Sequence, residues 1–232
     1  MHSGLSTHLN TAKQHFKAGI FVMLILLWCS HLTAGYDFDK LAALAKQKYG
    51  EEAFKDITQL QQLIAQLKTA PDSEKLKKVN DFFNNKIMFA DDLAVWGKTD
   101  YWATPLESIG RQAGDCEDFS IAKYMFLRAA DIPNNKLRLT YVKATMNSGG
   151  LKNVRAHMVL SYYATPQSEP LILDNLNTEI YPASSRTDLS PVFSFNDKGL
   201  WVGSSSKPKS DSQSHLSTWR DVLLRMQLDG LE

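Results

Sequence analysis

At Leu137 the hydrophobic pattern of this chain changes period, and that change restricts the folds open to it. Upstream the apolar residues recur at helical spacing. Phe38, Leu41, Leu44 and Ala45 lie in one such run from Tyr36 to Tyr49, with Gly50 suited to stop it. A second helix is expected from about Glu52 to Lys68, with Ile57, Leu60, Ile64 and Leu67 on one face. Pro71, Asp72 and Glu74 open a third, which carries Leu76, Val79 and Phe83. From Leu137 onward the period is two: Leu137, Leu139 and Tyr141 alternate with Arg138, Thr140 and Val142. Further strands are expected at Val154 to Ala164, Pro170 to Asn175 and Pro191 to Asn196, with Asn147-Ser148-Gly149-Gly150 as a loop between the first two. Short connections between consecutive strands imply antiparallel pairing. The fold class is therefore α+β, with N-terminal helices packed on an antiparallel sheet.

Two segments sit between these blocks. Ile87 to Arg111 loses periodicity and gathers Asp91, Asp92, Trp96, Asp100, Tyr101 and Trp102, which reads as a long irregular loop, either a packed surface flap or the wall of a cleft. Cys116 to Ala130 is apolar on most sides, as a central helix would be, and Pro133 enforces its end. Near the C-terminus, Gly203 to Ser214 reads as a flexible Ser/Lys-rich stretch. Thr218 and Asp221 resemble a capping box for a last helix bearing Trp219, Val222, Leu223 and Met226.

The N-terminus carries a different message. Lys13 and Lys17 precede the apolar run Ala18 to Trp28, no acid occurs before Asp37, and Thr33, Ala34 and Gly35 are small or polar. Residues 1–35 read as a secretory signal cleaved near Ala34 or Gly35, with an uncleaved anchor as the alternative. The bulky Trp28 before Cys29 suits lipidation poorly. The expected destination is the periplasm. Residues 36–232 are then one domain, long enough for a real core. The full chain has a formal net charge of +1, and Lys13 and Lys17 account for two positive charges, so the mature chain stands at −1. That argues against nucleic acid or an anionic membrane as the main partner. His2, His8, His15 and His31 fall in the leader, leaving His157 and His215.

One cysteine, Cys116, remains in the mature chain, and it sits where a loop enters a helix. Such a position lowers a thiol's pKa, so a nucleophile is the reading to test against an inert buried thiol. His157 lies inside a strand and Asp174 at the end of the next. Neighbouring antiparallel strands can bring those two together, and the core helix needs only to direct its N-terminus at them. A thiolate to attack a carbonyl, an imidazole to move the proton and a carboxylate to fix its tautomer form a working set. His215, in the Ser-rich tail, has no rigid partner.

Gly114-Asp115-Cys116-Glu117-Asp118-Phe119, Ala122-Lys123-Tyr124, His157-Met158-Val159-Leu160 and Leu173-Asp174-Asn175 resemble the bacterial transglutaminase-like cysteine proteinases. The likeness also takes in Trp96-Gly97 and Asp100-Tyr101-Trp102-Ala103-Thr104-Pro105, and runs from the first helix to Trp201. It implies a papain-like fold and a triad of Cys116, His157 and Asp174. It further implies a substrate class, large surface adhesins cut at a paired-alanine site in their N-terminal region, whose release disperses biofilm. An inner-membrane receptor for cyclic di-GMP is implied as the partner that sequesters the enzyme.

Asp115, Glu117 and Asp118 crowd the thiol. Acids in a first turn suit the helix dipole, and Asp115 can cap with Asp118 reaching back. Yet carboxylates oppose thiolate formation, and a hard dication would remove that conflict. The resemblance implies a Ca²⁺ site at Asp115 and Glu117; the crowding itself makes Asp118 a further candidate ligand, and a carbonyl from the loop near Trp96 is a candidate to complete the shell. For the oxyanion, the Cys116 N–H is the natural first donor, with Trp96, Trp102 or Gln112 as second. Trp96, Tyr101 and Trp102 could alternatively form a docking surface. Two rival readings stay open: a transglutaminase or amide hydrolase on the same scaffold, or a non-enzymatic calcium-stabilised binding module. One Cys with one well-placed His is a thin set for zinc.

Overall fold

The helices of the N-terminal half form where their apolar spacing places them. In the computed structural model, which describes residues 35–149, 151–203, 205, 207–209 and 216–231, they are α1 (Phe38–Tyr49), α2 (Glu51–Leu67) and α3 (Asp72–Lys86). Gly50 has φ 92°, the left-handed backbone that ends α1. The expected leader with Cys29, the tail His215 and most of the 203–214 stretch lie outside the described residues. No described helix is long and apolar enough to cross a membrane.

The stretch after α3 differs from the expected irregular loop. It holds β1 (Met88–Phe89), α4 (Asp92–Trp96) and α5 (Pro105–Arg111), followed by β2 (Ala113–Gly114). Both helices are too short to show periodicity, but their ends are chemically marked. Gly97 closes α4 in the left-handed conformation. Thr104 caps α5, its hydroxyl accepting from the Glu107 N–H while Glu107 returns a carboxylate to the Thr104 N–H, and Pro105 takes the first position. Strands β1 and β2 pair in parallel, Met88 with Ala113 and Phe89 with Gly114. That pairing fastens the chain just before the next helix to the end of α3.

The central helix α6 (Cys116–Ala129) is buried along nearly its whole length. Phe126 lies 5.5 Å from the Phe83 ring and 6.0 Å from Phe38, while Tyr124 meets Trp219 edge-on at 5.8 Å. Rings buried like this contribute about 1.5–3 kcal/mol each. Its third side rests on the sheet, where the Ser120 hydroxyl donates to the Met158 carbonyl at 3.1 Å.

The sheet is six-stranded and antiparallel. In chain order its strands are β3 (Leu137–Ser148), β4 (Leu151–Tyr162), β5 (Leu171–Leu173), β6 (Tyr181–Pro182), β7 (Leu189–Phe195) and β8 (Leu200–Val202). Their spatial order is β6-β5-β4-β3-β7-β8. β3 and β4 are longer than expected because their register runs unbroken from Leu137↔Tyr162 to Ser148↔Leu151. The last helix, α7 (Ser217–Asp229), starts at Leu216 with no side-chain cap. Thr218 and Asp221 therefore do not form the expected capping box. Both are inside the helix, and Asp221 pairs one turn on with Arg225 at 2.9 Å.

Candidate active site

Each site element is placed by a local rule. Asp115 caps α6: its side chain accepts from the Glu117 N–H at 3.2 Å, while Asp118 Oδ2 accepts from the Asp115 N–H at 3.3 Å. This is the capping box expected from the spacing, and it sets Cys116 as the first helical residue. The half-buried thiol donates to Glu117 Oε2 at 2.7 Å, and Tyr141 Oη donates to Glu117 Oε1 at 2.9 Å.

The other two residues meet directly. His157, in β4, and Asp174, just past β5, are both buried, and His157 Nε2 lies 2.8 Å from Asp174 Oδ1. That bond leaves Nδ1 as the second ring nitrogen. The carboxylate is held from every side. Arg186 Nη2 donates to Oδ2 at 2.8 Å and the Leu176 N–H to Oδ1 at 3.0 Å, while Asn84 and Lys123 Nζ donate to the residue's carbonyl. The Met158 backbone, one residue past His157, acts to lower the pKa of the Cys116 thiol, but among the described residues no hydrogen bond joins the thiol to His157.

The charges at the two ends differ in kind. Burial alone would raise the pKa of Asp174, but the bond and charge of His157 and the Arg186 guanidinium outweigh it and bring it to about 2. Burial pushes Lys123 down to about 7. At the thiol, burial raises the pKa steeply, and the Glu117 charge, its hydrogen bond and Asp115 raise it further. The lowering expected from the helix start is overridden first by burial and then by these carboxylates. Burial and the neighbouring acids also push Asp115 up, and Asp118 up to about 7.

Asp92, at the start of α4, joins the acids. One carboxylate oxygen each from Asp92, Asp115 and Asp118 fall within 4.8 Å of one another, and a second such group is Asp115, Cys116 and Glu117. Asp115 belongs to both. The donor set fits a hard dication: all carboxylate oxygens in the first group, and a buried Asp92 Oδ1 with no hydrogen-bond partner among the described residues. Gly114 keeps the room open, since a Cβ there would sit 2.6 Å from Asp118 Oδ2. In the sequence Asp92 stands in an acid-rich stretch, and nothing local assigns it to the metal. The short helix and the β1–β2 pair that bring it to Asp115 left no periodic signal. Arg186 was also missed, and nothing in its local pattern singles it out.

The aromatic candidates divide. Trp102 is a core residue stacked on Phe195 at 5.8 Å, with Nε1 buried and unbonded among the described residues. Trp96 packs on Tyr101 at 5.1 Å, and its Nε1 is likewise buried and unbonded. Gln112 adopts the left-handed conformation at the end of α5, and its carbonyl accepts from Met88.

A family model described as "Bacterial transglutaminase-like cysteine proteinase BTLCP" matches residues 44–204, more than half of the chain. Among solved structures, EGTA-treated LapG of Legionella pneumophila is similar at 42% identity and a TM-score of 0.72, over 83% of this chain and 98% of that one. The calcium-bound form of the same Legionella protein matches at 41% identity and a TM-score of 0.68, covering 82% and 98%. No curated protein sequence matches this chain.

Proposed function

Because this chain belongs to the bacterial transglutaminase-like cysteine proteinases, we propose that it is a calcium-dependent endopeptidase of the LapG kind. Its substrate is the N-terminal region of a large surface adhesin, cut at a paired-alanine site, so that cleavage releases the cell from a biofilm. The secretory leader supports a periplasmic location. The family resemblance supports restraint by an inner-membrane cyclic di-GMP receptor of the LapD type.

The observation that carries the reading is the buried His157–Asp174 bond through Nε2, which leaves Nδ1 to serve a thiol. His157 takes the Cys116 proton, the thiolate attacks the scissile carbonyl, and imidazolium then protonates the leaving amine. Asp174 stays ionised throughout, because its partners hold it near the bottom of the carboxylate range, and so it stabilises the imidazolium. The Cys116 N–H, at the helix start, is the first oxyanion donor.

The acids set the condition for this chemistry. With the thiol donating to Glu117 and its pKa raised, the neutral thiol is the favoured form. Asp92, Asp115 and Asp118 are the residues that would hold calcium, with Glu117 adjoining them through Asp115. A bound Ca²⁺ supplies positive charge that offsets these carboxylates. Tyr141 keeps Glu117 anchored on its other oxygen.

The test incubates the purified protein, and Cys116→Ala, with an adhesin N-terminal region in calcium or in EGTA, and reads the products by mass spectrometry. New chain termini that need both Cys116 and calcium are expected. Isopeptide-linked products would replace proteolysis with acyl transfer. Equal cleavage in EGTA would end the calcium requirement, and no thiol-dependent product would end the enzymatic reading.

A further inference from the structure

Strand alternation gives the sheet a second face, away from α6. Leu139, Met158, Leu160 and Leu173 face the helical core, whereas Val142, Val159 and Ile172 form a separate apolar cluster. A cavity of about 220 Å³ opens on this second face, lined by Arg138, Thr140, Val142, Val159, Ile172 and Arg186 among others. Neither Cys116 nor His157 lines it.

Its two ends carry buried guanidiniums that are not fully used. Arg138 is 4% exposed and Arg186 6%. Arg138 Nε and Arg186 Nη1 are buried without a hydrogen-bond partner among the described residues. The β3–β4 rungs run Arg138↔Ser161, Thr140↔Val159, Val142↔His157, which puts Arg138 about 13 Å along β3 from the His157 rung. Thr140 and Ser161 hydroxyls satisfy each other midway at 2.8 Å.

The charges are unequal. Arg186 is matched by Asp174 and Asp188, each at 2.8 Å. Arg138 has no acid within ion-pair distance among the described residues. It is sandwiched between the Tyr163 and Trp201 rings at 4.3 and 4.1 Å and donates through Nη1 to the Ser205 carbonyl at 3.1 Å. A buried cation with no counter-charge is costly, and a bound anion would remove that cost. One uncompensated charge calls for a monoanion, and the wall between the arginines calls for a short apolar body.

We propose that this cavity is a second binding site, for a small carboxylate whose head pairs with Arg138 and whose apolar body lies along Val142, Val159 and Ile172. An occupant long enough to reach Arg186 touches the guanidinium that holds Asp174, so the site is placed to modulate the candidate active site from behind.

Hexanoate is the probe, read by calorimetric titration and thermal melting of the full chain, so the test does not depend on proteolysis. At tenfold excess over Kd, hexanoate should raise Tm by about 3–6 °C. Arg138→Gln should weaken binding tenfold or more. Ala183 also lines the cavity; Ala183→Leu, which fills space there and leaves both arginines, should weaken binding as well, and the melting of each variant without probe shows that it folds. No binding by wild type, or unchanged binding in Ala183→Leu, would overturn the proposal. Hexanol binding as tightly as hexanoate would remove the anion, and hexyl phosphate binding more tightly would overturn the charge count.

Discussion

The two ends of the candidate active site are built on opposite principles. At Asp174 each oxygen has a donor, the neighbouring charges are positive, and the group is locked as an anion. At Cys116 the neighbours are acids, the thiol is engaged by Glu117, and the reactive form is disfavoured. One end is finished by folding alone, and the other is built so that added positive charge would change its state. Control of such an enzyme therefore belongs at the thiol end, while the acid end sets stability.

The strongest break of that contrast removes the chemistry itself. Cys116→Ala and His157→Ala should each reduce cleavage by about 10⁴-fold or more, and the double variant should lose little beyond either one. Independent, additive losses in the rate assay would show that the two do not act together. Next comes Arg186→Gln, which leaves a buried carboxylate short of a partner and should destabilise by about 3–5 kcal/mol in a denaturant titration. Asp174's lowered pKa stabilises the fold fully above pH 3.8, its ordinary value, and that contribution is lost as pH falls through about 2. Without Arg186 the depression shrinks, so acid unfolding followed by circular dichroism should begin at higher pH.

Asp92→Asn sharpens the thiol end. It should raise the calcium needed for half-maximal cleavage roughly tenfold or more, with little change in the rate at saturating calcium. An unchanged calcium titration would remove Asp92 from the ligand set. The smallest effects concern the two caps. Thr104→Ala should cost about 1–2 kcal/mol, because its hydroxyl serves both Glu107 and Asp229. Thr218→Ala should stay within about 0.5 kcal/mol. Equal losses in thermal melts would restore the cap expected at Thr218.

These caps also show what was legible in the sequence. Long elements declare themselves through repetition: α1, α2, α3, α6 and the β3–β4 hairpin each gave several periodic residues. The Asp115–Asp118 box was readable because both partners lie within four residues. The order Cys116, His157, Asp174 was readable because each residue sits at an element end or inside a strand. Short elements offer no such repetition. Thr104-Pro105-Leu106-Glu107 carries a cap signature, but the Trp-rich surroundings concealed the helix it starts. Asp92 and Arg186 reach the site only through tertiary pairing, the β1–β2 ladder for one and the turn after β6 for the other. At Thr218 the same local grammar pointed to a cap, yet the helix begins earlier, so Asp221 pairs with Arg225 instead.

Helix α7 contributes none of the candidate active-site residues and lies beyond the stretch matched by the family model. Even so, Arg225 grips the Trp102 carbonyl and the Tyr101 hydroxyl, and Asp229 takes the Thr104 hydroxyl. Between those anchors lies Ala103, whose N–H donates to Asp118 at 2.7 Å. The C-terminal helix thus works as a splint for the acidic floor beneath the thiol. A version trimmed to residues 44–204, the stretch the family model matches, would keep every residue of the reaction and lose the part that keeps them aligned.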